Sequence, residues 1–493
     1  MKYVIIILLS FFFINTVNAS NNWQRGIFRV NTNLSAGDES IESVVEKARV
    51  NGMKFVVFSD QFIVIAEYGL PPFRNIFRLK KERKSIVSYG ITEYLEEIKR
   101  VQKKYPDMVL VPGADIAPHY YWEGNYFKGN LTTHKWSEQL TVFGNRDPEF
   151  YKKLPVVLND RTGFTIFSLL KLFPLLLAAA GIMSFISGKK AAYYSDSQGH
   201  SYYRYKKLRA LLSVFLILTG FAWTFNNRPF TIQGSPFDIY HNAGTAPFQK
   251  AIDYIRKKGS PETGVIWSAP EATMKDKIDG VFLYTAPYLG DIENTHGYNG
   301  LAGIYADAAH AHEPGKTWDR ILLEYCVGTR EIKPVIVGEA DYHGRGSIEL
   351  IQTVIHSNKT DYSSITNAII QGNSYATVNA NGKMICLDSA GIVHKNKYAW
   401  LGEELTASEN REIKLEIKGH IKLEDKKLNT FGKIIVVQNG KLLSENPVDL
   451  RNFSFSQDIL LTDKNLQKQY VRFYIFADNV WLLANPIFIK TRR

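Results

Sequence analysis

Cysteine is nearly absent: Cys326 and Cys386 are the only two in 493 residues. That excludes a disulfide scaffold and a thiolate-built zinc site, and leaves one disulfide or two buried thiols as the open alternatives. Internal repeats and low-complexity tracts are missing as well. With 45% hydrophobic and 22% charged residues, the chain can support two or three domains with cores of their own. The net charge of +12 is not gathered into a block, and the scatter of Lys and Arg through helix-like and strand-like segments argues against a nucleic-acid partner.

Long apolar runs, by contrast, are present. Met1 and Lys2 precede an apolar stretch from Tyr3 to Ile14 and the small-residue pattern Val17-Asn18-Ala19. A basic start, a short apolar core and a cleavage-like site predict a signal peptide for export over residues 1–19; the alternatives are an uncleaved anchor or a first buried strand. A second run, Gly163 to Ser187, has only Lys171 charged and reads as a membrane helix; a third, Ala210 to Phe225, is short and needs a flanking turn to span. Between them lie Lys189, Lys190, Arg204, Lys206, Lys207 and Arg209 among interface-suited tyrosines, as in a positive-inside loop. The expectation is a transmembrane hairpin over 162–226 in the inner or cytoplasmic membrane, its basic loop cytoplasmic and the bulk of the cell-envelope protein extracytoplasmic. The alternative is a pair of helices buried in a soluble domain.

On either side of the hairpin, 20–161 and 227–377 alternate strand and helix signals. VLVPGADIA, GVIWSAP, LAGIYA and PVIVGEAD are apolar runs ending in small or polar residues, as buried parallel strands do. IESVVEKARVNG places Ile41, Val44, Val45 and Ala48 on one helix face and stops at Gly52. The fold class is α/β, a barrel or a doubly wound sheet. From 378 to 493 the texture changes to closely spaced alternating strands with an Asn439-Gly440 turn, which predicts a β-sandwich-like domain.

Open ends of parallel strands are where such folds place ligands. Four segments qualify: RVNTNLSAG from Arg29, FSDQ ending at Gln61, GADIAPH from Gly113, and GEADYH from Gly338. Carboxylates and imidazoles converging from separate strands can hold a divalent metal, and Asp60, Asp115, Asp341 and His343 are the candidates.

At these residues the chain resembles the polymerase and histidinol phosphatase (PHP) superfamily, metal-dependent phosphoesterases on a distorted β/α barrel. GIFRVNTNLSAGDESIESVVEKARVNGMKFVVFSDQ follows the family's opening layout, with Thr32, Ser35, Gly37, Gly52 and Asp60 in place; PGADI and PVIVGEADYH resemble its later motifs. The resemblance implies a barrel over Gly26 to Thr377, interrupted by the hairpin, and metal ligation by Asp60, Asp115, Asp341 and His343. It also exposes losses. Arg29 and Asn31 stand at the two opening histidines, Gln61 at the histidine after Asp60, and Ala269 at the one before Pro270. Arginine cannot ligate a cation and its charge opposes one nearby. Arg29 is expected either to pair with Asp60 or Asp341 in place of metals or to bind an anionic, phosphorylated ligand.

Two functions follow. One is a catalytically degenerate envelope module that binds or assembles, with the C-terminal strands meeting another envelope protein. The other is a metal-dependent phosphoesterase (a hydrolase) with a reduced site of one divalent metal, Zn, Mn or Fe.

Overall fold

The computed structural model describes residues 22–188, 193–195, 197–199, 201–203, 207–278, 280–308, 310–380, 382–407, 413–423, 429–461 and 466–491. The signal peptide expected at 1–19 lies outside them, as do Lys189, Lys190, Arg204 and Lys206 of the basic loop.

The chain is mixed α/β. Its first part contributes strands β1 (Trp23–Val30), β2 (Phe55–Phe58), β3 (Ile65–Gly69), β4 (Arg78–Glu82), β5 (Val109–Val111), β6 (Gly113–Ile116) and β7 (Gln139–Phe143). Beyond the apolar segments follow β8 (Gly264–Ser268), β9 (Gly300–Ile304), β10 (Val335–Tyr342), β11 (Ile351–His356) and β12 (Ser374–Ala380). β1, β2 and β5 pair in parallel, as do β8, β9 and β10, and β10 returns in parallel to β1. A parallel bridge from Gln61 to Asp115 carries the pairing from the end of β2 to β6. β7, a strand that the sequence reading did not include, joins β6 to β8 and runs antiparallel to both. Its direction follows from the connection: between β6 and β7 the chain makes short outer strands and no crossover helix, and parallel neighbours need such a crossover. The order of pairings thus closes on its first strand.

β2, β5, β8 and β9 are buried at every position, which explains their unbroken apolar sequences. Helix α1 (Ile41–Val50) buries Ile41, Val44, Val45 and Ala48 and is capped by the Ser40 side chain, which accepts from the Ser43 amide.

The apolar segments form helices over Ile166–Ser187 and Lys207–Asn227, each long and apolar enough to cross a membrane. Lys207–Asn227 outruns its apolar stretch at both ends, so the short third run reaches spanning length by borrowing flanking residues. The two helices pack on one another where Gly220 lies against the Pro174 and Ala178 backbone and Gly181 against that of Ser213, while Leu170, Phe173, Leu211 and Phe225 stay exposed. Arg161 and Thr162 pair antiparallel with Thr231 and Ile232, so the chain enters and leaves the pair of helices at one point.

In the C-terminal part, β13 (Lys383–His394) pairs with β14 (Ile413–Leu423), and β15 (Phe431–Gln438), β16 (Lys468–Ala477) and β17 (Val480–Ala484) pair in sequence, all antiparallel. These strands are not set apart: β17 pairs with β12, so hydrogen bonding runs across residue 377. Both cysteines are free, Cys326 buried in the core.

Candidate functional site

Phe28 of β1 faces Glu339 of β10 and Val30 faces Tyr342, so two residues of β10, Ala340 and Asp341, oppose the single Arg29. At this bulge Arg29 has φ +69° and Asp341 φ +46°, left-handed values that cost non-glycine residues about 1–3 kcal/mol each. Ala269, just past β8, has φ +39°. Three strained residues at neighbouring strand ends mark a place where backbone comfort gives way to side-chain placement.

The bulge turns Arg29 into the ring of strands, where it is buried. Its Nε donates to Asp115 Oδ2 at 2.7 Å and its Nη2 to Gln139 Oε1 at 2.6 Å. Its Nη1 ion-pairs with Asp341 Oδ1 at 3.0 Å and with Glu339 Oε1. The Glu339 contact has no hydrogen-bond geometry; Glu339 is held instead through Oε2, which accepts from the Ala269 amide at 3.0 Å. Asp115 Oδ1 also accepts from Thr141 Oγ1, and Gln139 donates to Gln61 at 3.0 Å. Burial opposes charge on Arg29, yet Asp115, Asp341 and Glu339 together hold its pKa well above the ordinary value. Burial raises the Asp115 pKa against the pull of Arg29, and pushes that of Glu339 up to about 7.

Asp60 stands apart from this cluster. The loop after β1 wraps it: the Thr32 amide donates to Oδ1 at 2.7 Å, the Thr32 hydroxyl to both oxygens at 3.0 Å, and Ser35 Oγ to Oδ1 at 2.6 Å. Gly37 permits the tight turn, since a Cβ there would lie 2.3 Å from the Asn31 carbonyl. Burial lifts the Asp60 pKa to about 6 against those donors. Arg29, expected to pair with Asp60 or Asp341, pairs with Asp341 together with Asp115 and Glu339 and not with Asp60. Thr32 and Ser35 supply the hydrogen-bond donors around Asp60.

Asp341 is half exposed, and His343 turns back so that Nδ1 lies 2.7 Å from the Asp341 carbonyl oxygen and 3.8 Å from its carboxylate. His119, within the GADIAPH segment, contacts the His241 carbonyl through Nε2 at 3.3 Å, and His134 of the neighbouring outer strand pairs with Glu123 at 2.9 Å. Glu339, Gln139 and Thr141 escaped the reading of strand ends. Glu339 had a signal, an acidic residue within an otherwise buried apolar strand, whereas Gln139 and Thr141 had none.

Two solved structures are similar to the chain. One is a two-domain protein containing a predicted PHP-like metal-dependent phosphoesterase from Bacteroides vulgatus, at 8% identity and TM-score 0.35 over 95% of each chain. The other is a proposed metal-dependent phosphoesterase from Bifidobacterium adolescentis, at 11% identity and TM-score 0.27 over 66% of this chain and 89% of that one. No family model and no curated protein matches the sequence. Both likenesses are distant, so the chemistry of the site rests on this chain's own residues.

A divalent metal does not fit those residues. The Arg29 guanidinium fills the point where Asp115, Glu339 and Asp341 converge, and among the described residues no group of three or more His, Cys, Asp and Glu is arranged to hold a metal ion. A fixed cation there repels a second one by several kcal/mol at short range and low dielectric.

Proposed function

We propose that this chain is a membrane-held, extracytoplasmic binding module on a PHP-like β/α barrel frame, in which Arg29 takes the place of the family's metals and hydrolysis has been lost. The observation that carries this reading is the Arg29 guanidinium, buried and shared by three carboxylates and Gln139. A residue so committed can neither activate water nor leave to make room for a metal. The closed order of strand pairings supports the barrel, and the two apolar helices, which the chain enters and leaves at one point, support a membrane hairpin inserted in it. The β-sandwich-like C-terminal strands serve as the surface for another envelope protein.

Metal analysis and activity together test the reading. Purified protein is expected to hold no stoichiometric Zn, Mn or Fe and to show no metal-stimulated phosphoesterase activity, while changing Arg29 and Asn31 together to His raises divalent-metal affinity. Robust phosphoester turnover by the parent protein, dependent on Mn or Zn and lost in Asp341→Ala, overturns it in favour of the enzyme. Topology has its own test: reporters fused after Tyr203 should behave as cytoplasmic and those after Gly300 or Gly440 as extracytoplasmic.

A further inference from the structure

β3 and β4 form a hairpin that projects from the strand end carrying Asp60. In its register Ala66 faces Lys81 and Tyr68 faces Leu79, so Val64, Ala66 and Tyr68 share a face with Leu79, Lys81 and Arg83. That face, with Trp122, Leu131 and Leu283 opposite, encloses a largely apolar cavity of about 290 Å³. A second and more polar cavity of about 340 Å³ adjoins it, lined by Ser35, Gln61 and Gln139 of the candidate site and by Arg83 and Lys84. The two share Val64, Arg83 and Trp136 in their walls, so an apolar and a polar compartment of the groove lie side by side.

The hairpin also reaches the apolar helices. At its tip the Asn75 amide donates to Asn226 Oδ1 at 3.0 Å and Asn75 Nδ2 to the Asn226 carbonyl at 2.7 Å, and Asn226 lies in the last turn of the second apolar helix. Phe77 and Leu79, between tip and groove, are exposed by 58% and 52%. Arg83 and Lys84 are exposed, and neither forms an ion pair with another of the described residues. The groove therefore runs from the helix end toward Arg29, with an apolar wall first and two free cations where it turns polar.

We propose that this groove binds one acyl chain and the phosphate head group of an anionic membrane phospholipid. The apolar wall suits hydrocarbon, whose burial is worth about 25 cal/mol per Å². Arg83 and Lys84 suit the phosphate, at about 1 kcal/mol for each cation near an anionic surface. Gln61, whose oxygen accepts from Gln139 and whose Nε2 is not used in that bond, offers a hydrogen bond to the polar groups beyond it. A soluble phosphate would use the cations and leave the wall without purpose. The inference rests on the membrane-held binding-module reading and names its ligand.

The test uses the full chain in phosphatidylcholine nanodiscs doped with phosphatidylglycerol or phosphatidylcholine carrying a photoreactive acyl tail, followed by peptide mapping of the crosslinks. Phosphatidylglycerol should label peptides containing Tyr68 to Leu79 and Trp122 to Leu131 roughly thirtyfold more than phosphatidylcholine does, as two cations worth about 1 kcal/mol each imply. Arg83→Gln with Lys84→Gln should erase that preference, and Ala66→Trp, which fills the apolar cavity, should remove groove labelling while labelling of the two helices persists. Equal groove labelling by both lipids, or labelled helices with an unlabelled groove, overturns the proposal. So does competition by inorganic phosphate without tail crosslinking, which marks a free-phosphate site. Unlabelled helices overturn the membrane reading itself, whereas the absence of a metal-dependent activity is judged in the separate assay above.

Discussion

Arg29 is one cation facing three carboxylates, so the cluster carries excess negative charge in a buried setting unless a proton is held. Burial favours the protonated form of Glu339, pushed up to about 7, and of Asp60, at about 6, and raises Asp115 in the same direction. Both folded values exceed the unfolded ones of about 4.3 and 3.9, so the folded state binds the extra proton and stability falls as pH rises through the folded values. Glu339→Gln, which mimics the protonated form, should flatten the decline between about pH 4.5 and 7. Urea unfolding of parent and variant at several pH values measures this as a difference; a parallel decline in both would show Glu339 ionised throughout. Removing the cation should cost more. Arg29→Ala leaves Asp115 and Glu339 buried without a counter-charge, with an expected loss of about 3–5 kcal/mol and raised pKa values for both, seen as a steeper fall in stability toward alkaline pH.

At the scale of elements, the strand-end positions of Asp60, Asp115 and Asp341 were legible because buried parallel strands write themselves as apolar runs with polar ends. The bulge that aims Arg29 was not, since a single extra residue leaves no periodic mark and is fixed by pairing with β10, more than 300 residues away in the chain. Nor was the reversal of β7, whose QLTVF sequence suits either direction. The apolar helices were plain from composition, but their contact depends on which small residues meet. A Cβ on Gly220 would lie 2.6 Å from the Ala178 nitrogen and 2.8 Å from the Pro174 carbonyl oxygen. Gly220→Leu should therefore force the helices apart and lower the thermal midpoint of detergent-extracted protein. Phe225→Leu on the exposed side should leave it unchanged, and equal effects would contradict the packing.

Across the whole molecule, the strands beyond residue 377 build a core of their own and still pair with the first part. β12 pairs with β17, and Asn485 Nδ2 donates to the carbonyls of Ile336 and Ser374, so the C-terminal strands complete the hydrogen bonding of the first part. The tie is strongest around Arg472 of β16, which is fully buried. Its Nε and Nη2 grip Asp319, in the helix Thr317–Val327, at 2.7 and 2.8 Å; Tyr470 donates to the same carboxylate at 2.7 Å, and Arg472 Nη2 reaches the His312 carbonyl at 2.9 Å. A bidentate pair of this kind fixes orientation, and breaking it strands a charge away from water. Asp319→Ala should lower stability by about 3–5 kcal/mol. Because Arg472 and Asp319 lie on opposite sides of residue 377, the loss should reach the contact between the two parts as well as its surroundings. In calorimetry the parent should unfold in one transition, and the variant should resolve two, the lower belonging to the C-terminal strands. A single transition, merely lower, would mean that the continuous strand pairing through β12 and β17 holds the two parts together without the buried ion pair.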